Sequence, residues 1–277
     1  MQSQMSKAPS LSPKEMLASL WRNRHLIKTL VRRDIASRYR GSFLGMLWSF
    51  FNPLFMLGVY TFVFSVVFKA RWQSGGDSKS EFALVLFAGL TVFNIFAECV
   101  NRAPGIIPAN ANYVKKVIFP LEILSVVNLG NALFHAAISF FVWFIACVIL
   151  RGLPSASFLL LPLLLVPLVF TTMGISWFLA SLGVFLRDVT QIISVATTAL
   201  LFLTPIFYSA ANLPPNYQKF MLLNPLTPII EQSRGVMLFN MMPDWRMFGV
   251  NLLASLIVAA CGFAWFQKTR KGFADVL

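Results

Sequence analysis

The sequence predicts an all-α integral membrane protein. It has six transmembrane helices, an N-terminal amphipathic interface helix, and short re-entrant periplasmic helices between spans five and six. Three observations carry this. Hydrophobic residues make up 57% of the 277 positions and charged residues only 12%, where a soluble domain carries about a quarter. Residues 41–68 run for 28 positions without a charge, and five further stretches are similarly apolar. The net charge of +13 is also unevenly placed: nine of the 23 Lys and Arg precede residue 41, beside only Glu15 and Asp34.

In chain order, residues 1–43 read as a cytoplasmic N-terminus. Ser12-Pro13-Lys14-Glu15 is a helix start: Ser can cap, Pro suits the first turn, and Glu completes a capping box. The helix that follows keeps Met16, Leu17, Leu20, Trp21, Ile27, Leu30, Val31 and Ile35 mostly on one side, with Arg22, Arg32 and Arg33 on the other. Arg24 and Lys28 fall toward the apolar face, where their stems can snorkel. Such a helix lies in the membrane interface; an ordinary soluble amphipathic helix is the alternative. No secretory signal is expected, because the first apolar run is too long for one.

A transmembrane domain covers 44–266, with spans at about 44–68, 82–100, 121–150, 158–183, 190–210 and 247–266, and a tail covers 267–277. Six spans put both termini on one side. Placing that side in the cytoplasm leaves 16 basic residues inside and seven outside, and the reverse inverts the bias. Pro53, Pro162, Pro167 and Pro205 fall inside expected spans as kinks. Residues 211–243 hold two apolar pieces too short to cross, Phe220–Leu223 and Ile229–Phe239, each set off by prolines; they read as helices dipping into the outer leaflet.

Catalytic signatures are missing. There is no G-x-x-x-x-G-K-[ST] to cradle ATP phosphates, no H-E-x-x-H and no G-x-S-x-G. Cys99, Cys147 and Cys261 lack metal or redox spacing and read as small apolar side chains, so no metal site is expected. His135 shares a helical face with Asn128 and Asn131 and reads as a buried histidine with amide partners, a proton relay being the alternative. Glu98 and Arg102 read as an i to i+4 ion pair at a helix end. Energy for vectorial work would come from another polypeptide. Nucleic-acid binding is excluded, because no soluble module remains to perform it.

The most specific local pattern runs from Arg32 to Pro53: Arg32-Arg33-Asp34, Arg38-Tyr39-Arg40-Gly41-Ser42, Leu44-Gly45, Trp48 and Pro53. A basic interface helix turns at Gly41 and starts a span. The new span's free N–H groups, with Arg38, Arg40, Gly41 and Ser42, form a candidate anion site at headgroup level. The alternative is that these arginines only hold the topology. Trp48, Phe51 and Phe55 share a stripe at i, i+3 and i+7, and with Phe202 and Tyr208 are candidates to stack on sugars; packing on helices or lipid is the alternative.

This pattern resembles the start of ABC-2 type permeases, the membrane subunits of exporters for lipid-linked O-antigen, capsule and teichoic acid. The likeness extends through Asn110–Pro120, Phe185-Leu186-Arg187-Asp188, Thr204–Tyr208, Leu223–Thr227, Ile229-Ile230-Glu231, Arg234 and Phe273-Ala274-Asp275. The resemblance implies a homodimer with two separate nucleotide-binding ATPase subunits, which would bind the ATP and Mg; no cofactor is implied for this chain. It also implies a bacterial inner-membrane location and a polyprenyl-pyrophosphate-linked polysaccharide as substrate, O-antigen first, capsule or teichoic acid as alternatives. By the same resemblance, 101–120 is a coupling segment that docks on the ATPase through Asn110, Asn112, Tyr113, Lys115 and Lys116, and 211–243 holds periplasmic gate helices. A membrane enzyme acting on polyprenyl-linked glycans would need clustered acids and histidines, and the ten acids are scattered. A proton-driven flippase would need more ionisable residues inside the spans.

Overall fold

The structure is a computed structural model and describes residues 12–63, 79–115, 119–210, 214–221 and 223–277. The expected helix start is present: Ser12 caps α1 (Pro13–Arg22), and its hydroxyl accepts the Glu15 amide at 3.2 Å. The expected single amphipathic helix is, however, two. It breaks at Asn23, whose amide side chain donates to the Ser19 carbonyl at 2.9 Å, and restarts as α2 (Arg24–Arg38). A short polar side chain that bonds its own backbone in this way competes with helix propagation.

After α2 the chain turns through Gly41 at φ +84° and Gly45 at φ +52°. That left-handed geometry is costly for any residue with a Cβ. α3 (Trp48–Tyr60) follows, with Pro53 in its interior, as expected. The stretch Gly45–Val63 is apolar enough to span; the remainder of the expected first span, to residue 68, lies outside the described residues.

α4 (Lys79–Ala109) is the centre of the molecule. In its most apolar window 83% is buried, against 11% for the first span. A helix apolar all round and covered on all sides belongs to the protein's core, whereas α3 faces outward. α4 outruns the expected span by nine residues and absorbs the start of the supposed loop, with Pro104 and Pro108 inside it. Here α8 approaches so closely that a Cβ on Gly183 would overlap the Pro104 carbonyl. Such an approach needs a small residue.

A short α5 (Ala111–Val114) leads to α6 (Ile123–Arg151). The fourth span is a 3₁₀ segment, Ala156–Leu160, then α7 (Leu161–Leu164) and α8 (Val166–Phe185). Pro162 and Pro167 thus occupy first turns, where the missing N–H costs nothing, and do not kink a continuous helix as expected. α9 (Val189–Leu203) is 15 residues long, about 22 Å. It stops at Thr204-Pro205 and not at residue 210, so Pro205 lies beyond the helix. α10 (Pro215–Met221) and α11 (Leu226–Leu238) are short, α12 (Trp245–Thr269) is long, and α13 (Phe273–Val276) ends the chain.

Among the described residues, five helical stretches are therefore long and apolar enough to cross a membrane: Gly45–Val63, Glu81–Ala109, Ile123–Arg151, Ala156–Phe185 and Trp245–Val276. The expected sixth, α9, is a shorter apolar helix. α4 packs on α6, α8, α9 and α11, and α8 packs along α12. At the latter crossing Gly174 and Gly262 let the backbones touch, since a Cβ on either would overlap the other helix's backbone.

One end of the bundle is basic and tied by polar contacts. Glu122 accepts the Ser19 hydroxyl at 2.7 Å and Arg270 at 2.9 Å, while Arg270 also donates to the Phe119 carbonyl at 2.7 Å. Trp177 donates to the Glu122 carbonyl at 2.9 Å. The first helix and the C-terminal tail thus meet on the buried Glu122 carboxylate at the start of α6, α8 joins through the Glu122 main-chain carbonyl, and Phe273 is fully buried in the core.

Candidate functional site

The Gly41 turn brings the end of α2 against the cleft between α3, α4 and α6. There a cavity of about 430 Å³ opens. Ser49, Asn52, Thr91, Asn94, Asn101 and Ser139 give it a polar wall, and Trp48 and Tyr60 an aromatic one. Polar side chains at membrane depth are expensive unless they line a hydrated or ligand-bearing space.

Arg38, Tyr39, Glu98 and His135 close one end of this cavity. Arg38 Nη1 donates to Glu98 Oε1, joining α2 to α4. Arg102 lies 3.5 Å from Asp34, which also accepts the amide of Asn131. The expected local pairs are therefore replaced by cross-helix ones. Glu98 pairs with Arg38 in place of Arg102. His135 meets the Tyr39 hydroxyl at 3.3 Å, while Asn128 donates to the Cys99 carbonyl at 3.0 Å. Glu98 takes the cation that the fold delivers across the cavity, Arg38 of α2. Burial pushes the Tyr39 hydroxyl above the usual tyrosine range, Arg38 opposing and Glu98 adding, so it stays protonated at neutral pH.

Two further hollows continue from this cluster. One of about 350 Å³ is bounded by Asp34, Ser37, Arg38, Arg102 and Asn131. The next, about 190 Å³, shares Asp34, Ser37 and Arg102 with it and reaches Asn110. Arg38 is common to the first two and stands between them.

Of the anticipated anion residues, Arg38 lines the cavity, whereas Arg40, Gly41 and Ser42 are exposed. The Ser42 amide is already bonded to the Tyr39 carbonyl at 3.3 Å. The aromatic stripe divides. Trp48 lines the cavity, while Phe51 and Phe55 lie outside its lining and are exposed. Phe202 stacks on Phe207 with centroids 5.5 Å apart, and the Tyr208 hydroxyl donates to the Phe202 carbonyl at 3.2 Å. These two belong to the end of α9 and not to this cavity's wall.

In the anticipated coupling segment, Asn112 and Lys115 are exposed and Lys116 lies outside the described residues. Asn110 donates to the Ile106 carbonyl at 2.8 Å. Tyr113 stacks on Phe119 at 4.3 Å and receives Arg33 at 3.1 Å. The segment is braced directly against α2.

Asp34, Glu98, Glu122 and Arg234 were not among the anticipated site residues. In a chain with ten acids, Glu98 and Glu122, set among apolar residues, signal long-range partners; no comparable local signal marks Asp34 or Arg234.

A family model described as ABC-2 type transporter matches residues 25–238. The chain belongs to the ABC-2 type transporter family. Among curated relatives of this ABC-2 chain, O-antigen export system permease protein RfbA of Klebsiella pneumoniae is 27% identical, the match covering 91% of this chain and 95% of that protein. Polysialic acid transport protein KpsM of Escherichia coli is 24% identical over 88% and 93% of the two chains. Capsule polysaccharide export inner-membrane protein CtrC of Neisseria meningitidis serogroup B is 27% identical over 92% and 94%. The ABC-2 match spans the Gly41 turn, the cavity walls and the Arg38–Glu98 pair.

Proposed function

We propose that this chain is the permease subunit of an ABC exporter that carries a polyprenyl-pyrophosphate-linked polysaccharide across the bacterial inner membrane. O-antigen is the first candidate for the polymer. Two copies form the membrane unit, and two separate ATPase subunits supply ATP hydrolysis, their Mg included. Both termini face the cytoplasm, all six apolar helices cross or enter the bilayer, and α10 and α11 dip in from the periplasmic side.

The observation that carries this reading is the polar and aromatic cavity of about 430 Å³ closed at its basic end by Arg38. It sits in a family whose relatives are named for O-antigen, polysialic acid and capsule export. The lipid pyrophosphate approaches from the inner leaflet and meets Arg38, Arg40 and the backbone at Gly41–Ser42, where guanidinium groups pair with phosphate oxygens. Sugars then stack on aromatic faces such as Trp48, with Phe51, Phe55, Phe202 and Tyr208 available toward the second copy. ATP binding acts through Asn110–Lys116, which Tyr113 and Arg33 connect to α2.

Export of lipid-linked glycan by cells carrying Arg38→Ala and Arg40→Ala tests the reading. Loss of surface polysaccharide with normal permease abundance supports it, and unchanged flux contradicts it. The second reading, capsule polysaccharide as cargo, is favoured by the relatives KpsM and CtrC. Immunoblots of surface lipopolysaccharide and of capsule in a deletion strain separate the two.

A further inference from the structure

Among the described residues, Arg38 is the one side chain shared by the polar cavity and the adjoining hollow on the basic side. Whatever passes between those spaces meets it. Its guanidinium is held by Glu98, 60 positions later in sequence and on a different helix. Neither group is sealed away: the side chains are 49% and 22% exposed. A pair that reaches water is individually weak and can exchange partners.

The charges around it decide which partner can leave. Two guanidiniums, Arg38 and Arg102, face two carboxylates, Glu98 and Asp34, so the cluster balances as it stands. A phosphate or pyrophosphate that is to take the Arg38 guanidinium must displace the carboxylate already on it. Asp34 is held from two sides, by Arg102 and by the Asn131 amide, which joins it to α6. Glu98 is held through Arg38. One turn earlier on the same face of α4, Asn94 is exposed in the cavity and can donate to a carboxylate that swings away.

We propose that Glu98 occupies, on Arg38, the seat that a lipid-linked pyrophosphate takes during loading. This rests on the reading of Arg38 as the pyrophosphate contact. In the structure described the seat is filled from within, and the ion pair partitions the basic hollow from the polar cavity. Arrival of the doubly charged headgroup exchanges one carboxylate for a stronger, bidentate anion. Glu98 moves toward Asn94, and the partition opens only for cargo that carries the anion.

The test uses the permease with its ATPase subunits in phosphatidylcholine nanodiscs and undecaprenyl pyrophosphate as the probe. The readout is the probe concentration that gives half-maximal stimulation of ATP hydrolysis. Glu98→Gln keeps the shape and removes the competing charge, and should lower that concentration about three- to tenfold. Arg38→Ala should raise it, and adding E98Q to R38A should bring no further change. Glu15→Gln, on an exposed pair with Arg22, should match the unmodified complex. Undecaprenol, which lacks the anion, should not respond to E98Q.

Wild-type behaviour of E98Q beside a weakened R38A overturns the exchange while leaving Arg38 as the contact. Wild-type behaviour of R38A overturns the contact itself. If phosphatidylglycerol or free inorganic pyrophosphate is tightened by E98Q as strongly as the probe, the seat is a general phosphate site and the assignment to the lipid-linked substrate is overturned. Should E98Q not assemble with the ATPase, Glu98→Asp, with a shorter reach to Arg38, must show the same tightening, and an unchanged value counts against the proposal.

Discussion

The guanidinium of Arg234 stands where a side chain on Gly89 would be: a Cβ built on that glycine overlaps Nη2, Cζ and Nε. Arg234 is 1% exposed. It donates to the Val85 carbonyl at 3.1 Å, the Pro205 carbonyl at 2.5 Å and the Ile206 carbonyl at 2.6 Å, with Glu231 at 3.7 Å. One buried cation therefore ties α11 both to α4 and to the break that ends α9. The carbonyls after Leu203 find their donor here. A helix end left in apolar surroundings without such donors is costly.

Gly89→Ala should destabilise the protein by about 1–3 kcal/mol, and Gly89→Val by more, since the guanidinium cannot retreat without losing its acceptors. Arg234→Met should cost about 3 kcal/mol through three orphaned carbonyls. Thermal unfolding in detergent, followed by retention of a monodisperse peak, measures both. Equal stability of G89V and the unmodified protein would show that Arg234 has room to move.

At the crossing of α8 and α12, Gly174→Val or Gly262→Val should separate the helices and lower the yield of folded protein severalfold. Close backbone approach, not hydrophobic transfer, holds helices together in lipid. Gly249→Ala is the comparison, because open space surrounds that position. Matching yields for all three would contradict the packing described.

Glu122 joins Ser19, Arg270 and, through its carbonyl, Trp177. Its side chain is 7% exposed and that of Arg270 is 28% exposed. Glu122→Ala should cost about 1–3 kcal/mol, the upper end being reduced by water around Arg270. The tail should loosen first. Limited trypsin digestion should cut at Lys268–Lys271 faster in E122A, and an unchanged cleavage rate would show that the tail is held by Phe273 alone.

Tyr113→Ala removes both the stack on Phe119 and the bond from Arg33. With the segment acting as the ATPase contact, ATP hydrolysis by the complex should persist while glycan export per ATP falls severalfold. Tyr113→Phe, which keeps the stack, should fall between the two. Parallel loss of hydrolysis and export in Y113A would instead place Tyr113 in docking rather than in transmission.

Hydropathy made the five long apolar helices legible, because crossing roughly 30 Å of hydrocarbon demands a composition that cannot be hidden. The Ser12 cap and the Gly41 turn were equally local and equally readable. Helix ends were less so. α4 runs through Pro104 and Pro108 where α8 covers it, and α9 stops at Leu203 because Thr204, ahead of Pro205, is extended, while Arg234, 31 positions after Leu203, satisfies the Pro205 and Ile206 carbonyls that follow. In the sequence Arg234 is one of the seven basic residues on the outer side, and nothing near it marks it as buried. The pairing of Glu98 was misjudged for the same reason. Arg102 is one turn away on the same helix, but the competing Arg38 arrives only through the fold. Local spacing states which partners are available, and tertiary geometry chooses among them.

The central claim is that this ABC-2 chain is a conduit driven by a separate ATPase. It is tested most directly by reconstituting the chain in liposomes with and without ABC-type ATPase subunits, and following translocation of lipid-linked glycan with a sugar-specific probe. Translocation that requires the ATPase and hydrolysable ATP is the predicted result. Equal translocation by the chain alone would contradict the account.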